Sequence, residues 1–382
     1  MRIGIVTFWW AQDNYGQLLQ AYALYSYLRN KGHEVFLIRL RASRAQPRSR
    51  TWLDYADLPR VWNHLAWKLK RLAPEKQTPS RDFDLFREQF LEWSEAYYET
   101  NEDFSRHYPA ANAFICGSDQ VWNLIDRSEY GKNWFLNFSC RRERLISYAA
   151  SFGKDTVTGD ECDYLRALLV RFQAVSVREA EGVNICTAAG RRDAVHVVDP
   201  ALLLSAEDYQ PIVRLAINSK LKFEPMILGY FLNLSNKSEV AWSALIDFAK
   251  RKELPLNVIP AGNAGKLFPK RYLLFPSIPE WLKLYETCCY VVTNSFHGTV
   301  FAILMKKPFL VFPLLGNGAR MNGRIHSLLK QLRLESRIYR KEIPVAEQLE
   351  ETIDWRQTER YLMDFRQKSE DFLSRNLMHD SI

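Results

Sequence analysis

The chain of 382 residues contains only six cysteines, Cys116, Cys140, Cys162, Cys186, Cys288 and Cys289. None forms a C-x-x-C pair or pairs with spaced histidines, so neither a zinc site nor a disulfide framework is indicated, and reduced, mostly core thiols are expected. Long apolar runs are also missing. No stretch approaches the roughly 20 residues that a bilayer core demands, and the opening Met-Arg-Ile-Gly-Ile-Val-Thr is too short for a signal peptide, which points to the cytoplasm. The first strand is not followed by G-x-G-x-x-G, so a nicotinamide or flavin cofactor is not supported. The acidic residues form no recognisable ligand cluster, and no metal is expected. Helix-turn-helix, zinc-finger and RNA-binding signatures are absent, and nucleic acid is not expected as a partner.

What is present describes a globular protein, with 47% apolar and 25% charged residues. That balance excludes a largely disordered chain. The length exceeds what one hydrophobic core usually supports, so two domains with a cleft between them are expected. The net charge of +8 is unevenly placed. Residues 39 to 71 hold nine Lys and Arg against Asp54 and Asp57, a local +7 that suits an anionic membrane face or a phosphorylated substrate.

The apolar pattern predicts an α/β fold. Residues 2–7 read as a buried strand, Asp13-Asn14-Tyr15-Gly16 as a turn, Leu18 to Leu28 as a helix and Glu34 to Leu40 as a second strand. This β-α-β opening predicts a Rossmann-like domain over 1–210. An Arg-rich insertion at about 41–80 interrupts it, with Leu58, Val61, Trp62, Leu65 and Leu69 on one helical face. Strands are expected at 111–116, 144–149, 174–177 and 195–198, and in a second Rossmann-like domain over 211–350 at 225–232, 256–259, 290–293 and 308–312. A final helix at about 355–378 is expected to pack back across the domains. Two such halves facing a central cleft make a GT-B-like architecture.

The strongest local signal is the turn at 293–299, where a buried strand runs into Asn294-Ser295-Phe296-His297-Gly298-Thr299 and a helix begins. Such a turn directs the N–H groups of 297 to 299, that of Gly298 included, and the positive helix end toward an anion. Ser295 and Thr299 add hydroxyl donors, and His297 adds a proton or a cation. A plain helix cap from Asn294 or Ser295 beside a half-buried histidine fits the same residues, so both readings stay open. Arg178, at the end of an apolar strand, has the planar fork to clamp a carboxylate or phosphate, or else pairs with Glu179 or Glu181. Gly117-Ser118-Asp119-Gln120-Val121-Trp122-Asn123 offers close backbone approach at Gly117, a base or acceptor-sugar anchor at Asp119, and substrate contacts at Ser118 and Trp122. Asp13, Asn14, Gly16 and Gln17 follow the first strand. Asn317, Arg320, Asn322 and Arg324 form a basic, amide-rich run suited to phosphate or to a solvated helix start.

The order of these pieces resembles the polysaccharide pyruvyl transferase family, in the branch that reads N-Y-G-x-x-L-Q-A-Y-A-L, G-S-D-Q-V-W-N, Y-A-A-S-F-G, S-V-R-E, V-D-P-x-L-L-L and S-F-H-G-T. Here these stand at 14–24, 117–123, 148–153, 176–179, 198–204 and 295–299, nearly the whole chain. The resemblance implies a GT-B-like fold and transfer of pyruvate from phosphoenolpyruvate to two hydroxyls of a sugar as a cyclic ketal, with no further cofactor. It implies His297 and Arg178 at the phosphoenolpyruvate, an acceptor side in the first domain and a donor side in the second. The acceptor it implies is a sugar on a polyprenyl-diphosphate at the cytoplasmic membrane face, which gives the Arg-rich stretch a role in membrane contact. Many members carry a basic residue where this chain has Ser295, and a glycine-rich turn where it has Gly117-Ser118-Asp119, so a different cation, Arg320 or Arg324, is expected at the donor. Asp119 or Asp13 is the expected base. The alternatives are a glycosyltransferase using a nucleotide-sugar and a chain that only recruits other assembly enzymes.

Overall fold

The structure is a computed structural model and describes residues 1–41, 80–123, 125–139 and 142–378. The Arg-rich helical face at 58–69 and Cys140 lie outside the described residues.

Two parallel sheets carry the fold. The first contains β1 (Arg2–Val6), β2 (Glu34–Leu40), β3 (Trp93–Tyr98), β4 (Ala113–Cys116), β5 (Arg144–Ala150), β6 (Ala174–Val177) and β7 (Val195–His196), in the order β3-β2-β1-β4-β5-β6-β7. The second contains β8 (Ile227–Leu232), β9 (Leu256–Ala261), β10 (Tyr290–Thr293) and β11 (Phe309–Val311), in the order β11-β10-β8-β9. Every pairing is parallel, beginning with Ile3 opposite Val35 on one side and Ala113 on the other. Strands buried on both faces need near-continuous apolar sequence, and Ala-Phe-Ile-Cys in β4 and Ala-Val-Ser-Val in β6 provide it.

Seven helices matter for the site. They are α1 (Tyr15–Asn30), α2 (Phe83–Phe90), α3 (Ala180–Ala188), α4 (Ile278–Thr287), α5 (Phe296–Leu304), α6 (Gly323–Gln331) and α7 (Trp355–Leu377). A helical linker from Pro200 to Asn218 joins the two sheets. One apolar cluster lies between the sheets and unites Ile3, Ile5, Leu24, Leu228, Ile259, Val291 and Phe301 with Phe365, Phe372 and Leu377 of α7. Two further clusters cover the outer faces, around Phe114, Trp122 and Phe135 on the first sheet and around Phe231, Phe248 and Phe312 on the second. The long last helix is tied to the first unit: the Ser369 hydroxyl accepts from the Val198 N–H at 2.9 Å, and Arg366 Nε donates to the Leu202 carbonyl at 2.6 Å.

The strand orders place the cleft. In an open parallel sheet, ligands gather beyond the carboxyl ends of the strands, where the winding direction reverses. That point lies between β1 and β4 in the first sheet and between β8 and β10 in the second. The residues leaving β1, β4, β8 and β10 face one another across a cavity of about 250 Å³. The architecture is α/β with two Rossmann-like units facing a central cleft, which is GT-B-like.

Candidate active site

Two helix starts meet in this cleft. At α1, the Asn14 side chain caps the helix by accepting from the Gln17 N–H at 3.3 Å. At α5, the Ser295 hydroxyl accepts from the Gly298 N–H at 3.3 Å. Both are ordinary cap bonds, and both leave the rest of the first turn's N–H groups without intrahelical partners. The helices approach so closely that a Cβ added at Gly16 would lie 2.2 Å from Cγ of His297. Gly298 is required in turn, because a Cβ there would lie 2.3 Å from Oγ1 of Thr293. The positive ends of two helices from different units therefore converge beside one histidine, a field that favours an anion.

A carboxylate holds that histidine from behind. Asp199, which leaves β7 at the Val198-Asp199-Pro200 exit, is fully buried. Its Oδ1 accepts from the Ala201 N–H at 3.0 Å, and its Oδ2 accepts from the Ser118 hydroxyl at 3.0 Å and from Arg178 at 3.1 Å. His297 Nε2 stands 3.4 Å from the same Oδ2, longer than a well-formed hydrogen bond, and has no other hydrogen-bond partner among the described residues. Burial pushes the Asp199 carboxyl up, but His297, Arg178 and the Ala201 N–H together outweigh it and hold the group well below the usual carboxylate range.

Arg178 is buried with Asp199 and also donates from Nε to Glu179 at 2.8 Å. Burial opposes its charge, and Glu179, Asp199 and Asp119 more than restore it, so its pKa is raised. Its guanidinium carbon sits 4.4 Å from the centre of the Phe296 ring, a cation–π contact that separates it from the cavity lining. Arg324, at the start of α6, does line the cavity, with its guanidinium carbon 5.9 Å from the centre of the same ring. Burial first, and the Arg178 charge second, push its pKa down to about 10.

Asp119 lines the cavity with a backbone φ of 75°, a left-handed conformation costly for a residue other than glycine. That turn lets its carbonyl accept from the N–H groups of Val121 at 2.8 Å and Ser151 at 3.0 Å, while its carboxylate accepts from the Gln120 N–H at 2.8 Å. The carboxylate is thereby held at the cleft wall, in the same cavity lining as Ser295 and His297.

The structure gathers Asn14, Gln17, Asp119, Ser295, His297 and Arg324 around the cavity, with Gly16 and Gly298 setting the spacing. Other predicted residues stand elsewhere. Trp122 is a core residue: fully buried, stacked on Phe135 at 4.9 Å, with its indole N–H donating to the Trp134 carbonyl. Ser118 and Thr299 are fully buried, and their hydroxyls are engaged by Asp199 and by the Ser295 carbonyl. Gly117 packs beneath the cleft against Thr7. Asp13 accepts from the Gly262 N–H at 2.8 Å and so joins the two units. Arg320 is exposed on a short 3-10 helix that also carries Asn317, while the Asn322 amide pairs with the Leu314 backbone. Asp199, Gln120 and Phe296 were not anticipated as parts of the site, although all three stand within quoted motifs. Among the described residues, no group of three or more His, Cys, Asp or Glu side chains is arranged to hold a metal, and no helix is long and apolar enough to cross a membrane.

Paired Rossmann-like units with a cleft between them define an α/β protein of GT-B-like architecture. A family model described as "Polysaccharide pyruvyl transferase" matches residues 14–314, most of the chain, and the chain belongs to that transferase family. No curated protein matches it. Among solved structures it is similar to the UDP-N-acetylglucosamine 2-epimerase of Rickettsia bellii, at 10% identity with 98% of each chain covered and a TM-score of 0.44. It is also similar to the UDP-GlcNAc 2-epimerase of Neisseria meningitidis bound to UDP-GlcNAc, at 10% identity over 97% of this chain and 94% of the other with a TM-score of 0.46. A third is HepE of Anabaena in complex with UDP, at 10% identity over 98% and 99% with a TM-score of 0.47.

Proposed function

We propose that the protein transfers pyruvate from phosphoenolpyruvate onto two hydroxyls of a sugar residue, forming a cyclic ketal in the assembly of a bacterial cell-surface or exported polysaccharide. The observation that carries this reading is the convergence of the α1 and α5 starts on His297, with Asp199 behind it and Asp119 in the same cavity lining. A small dianion or trianion suits that field, and membership of a pyruvyl transferase family supports pyruvate as the group transferred.

The reaction balances without a cofactor. A proton is added to the methylene carbon of phosphoenolpyruvate, a sugar hydroxyl attacks C2, phosphate leaves with its bonding pair, and a second hydroxyl closes the ketal. One hydroxyl proton ends on the new methyl group and the other on phosphate. His297, backed by Asp199, binds the donor and delivers the first proton. Asp119, held rigidly at the cleft wall, accepts protons from the acceptor. The proposed acceptor is a sugar on a polyprenyl-diphosphate at the cytoplasmic membrane face, with the Arg-rich stretch as the membrane contact; reversing the charges of Arg41, Arg44, Arg48 and Arg50 should then weaken binding to anionic vesicles.

The test is incubation of the purified protein with phosphoenolpyruvate and a panel of galactosides, glucosides and mannosides. The expected result is sugar-dependent phosphate release and a product heavier than the acceptor by pyruvate less water. Release of nucleotide from a nucleotide-sugar, with no phosphate from phosphoenolpyruvate, would sink the reading.

A further inference from the structure

Two guanidinium groups contact the Phe296 ring, and their surroundings differ. Arg178 is paired with two carboxylates, Glu179 and Asp199, both buried with it. Arg324 has none: among the described residues no carboxylate lies within 4.0 Å of its nitrogens. Its partners are neutral. Nε donates to the Met321 carbonyl at 3.2 Å, and with the Gln120 amide turned so that its oxygen faces the guanidinium, the two terminal nitrogens donate to it at 2.6 and 3.0 Å. Arg324 is half-buried, and burial and the Arg178 charge together outweigh the more distant favourable charges of Glu179, Asp119 and Asp199, so its pKa is pushed down. Its side chain lies on the cavity wall together with His297.

We infer that Arg324 is the residue that directly holds the anionic end of the donor, and that Arg178 is a positioning residue that fixes Asp199 behind His297. This rests on the proposed reaction for the identity of the donor, but not for the existence of an anion site. It differs from what the family resemblance implies, where Arg178 itself meets phosphoenolpyruvate. The guanidinium fork suits a phosphate monoester, and a bound phosphate supplies the counter-charge that the protein withholds. Two cations share one aromatic ring, and among the described residues only Arg178 has carboxylates in direct ion-pair contact.

The two roles separate in one substitution. A purely structural arginine stabilises the fold, so removing it lowers Tm; an unneutralised arginine at a ligand site costs stability until the ligand arrives. Arg324→Gln in the full-length protein is therefore expected to keep the ligand-free Tm at or above that of the native protein. It should weaken binding of phosphoenolpyruvate and of inorganic phosphate, measured by calorimetry, at least tenfold. Arg324→Lys, which keeps the charge but loses the fork, should fall between the two for phosphoenolpyruvate. A loss smaller than tenfold in Arg324→Gln, or a lower ligand-free Tm, overturns the inference. UDP serves as the third probe. If the native protein binds UDP through Arg324 but not phosphoenolpyruvate, the anion site stands and the proposed reaction fails; if it binds none of the three, the anion site itself is wrong.

Discussion

A methyl group on Gly16 would collide with Cγ, Nδ1 and Cβ of His297, the nearest at 2.2 Å. The clash lies between the starts of two helices, so relief requires the units to part or the imidazole to swing. Gly16→Ala is therefore expected to cost about 1–3 kcal/mol of stability, the usual cost of overpacking, and to lower turnover well beyond that effect. A variant with unchanged Tm and unchanged turnover would show that the helix starts do not meet in solution. His297→Gln tests the other side of the contact. It removes the group that faces Asp199 Oδ2 and should reduce turnover by about 10²–10⁴, the range for a lost general acid, with circular dichroism unchanged. Turnover within threefold of the native protein would remove His297 from the mechanism. His297, Asp119 and Arg324 were legible as site candidates because each sits in a short run with turn or cap chemistry. Asp199 was not legible as their hub, since its partners Ser118, Arg178 and His297 are scattered along the sequence and only folding brings them to one oxygen. Trp122 misled for the opposite reason: its neighbours form a cleft wall, but its own side chain turns inward to Phe135.

Elements were easier to read than contacts. β6 and β10 occupy the expected residues, and α7 begins at the expected Trp355, because short apolar runs with turn residues at both ends admit few boundaries. β3 was missed. It is an edge strand with alternating burial, and the polar Ser94 and Glu95 dilute its aromatic content. The contact between β7 and α7 gives a pH prediction. His196 Nε2 lies 3.1 Å from the Arg178 carbonyl, and its ring packs on Phe365 of α7 at 4.8 Å. Burial pushes its pKa down to about 4; the carbonyl contact raises it and Lys368 lowers it. The unfolded histidine titrates near ~6.5. Its contribution is therefore complete above that pH and is lost as pH falls toward 4, because the unfolded chain takes up a proton that the folded one refuses. The loss amounts to about 2 kcal/mol by pH 5 and about 3 kcal/mol at the acid end. Urea midpoints at pH 7 and pH 5 should thus diverge more for the native protein than for His196→Phe, which keeps the ring contact without the titration. Equal divergence in both would locate the acid sensitivity elsewhere.

At the scale of the whole molecule, the cleft needs its two walls held at a fixed spacing, and the contacts that do so stand to one side of the chemistry. The sequence predicted two halves and a cleft, but the bolt between them depends on Arg81, at the edge of the expected insertion, where no motif marks it. Arg81 is 8% exposed; it donates to the Pro260 carbonyl of the second unit at 2.6 Å and to the Asp13 carbonyl of the first at 3.3 Å. Its guanidinium carbon lies over the rings of Tyr15 and Phe275, at 5.5 and 5.2 Å. Tyr15 adds its own bond, from the hydroxyl to the Pro276 carbonyl at 2.5 Å, and stacks on Trp281 of α4 at 5.3 Å. Tyr15 is also the first residue of α1, immediately before Gly16, so the bolt and the site share one helix start. Arg81→Met keeps much of the apolar stem and removes the charge-assisted bonds, each worth about 1.5–3 kcal/mol. Loosening at this edge should let the α1 and α5 starts drift apart. The expected result is a Tm lowered by several degrees, faster amide exchange at both helix starts, and an increase in the donor KM larger than the change in kcat. A loss of stability without faster exchange at residues 15–18 and 296–299 would mean that Arg81 supports the fold but does not set the width of the cleft.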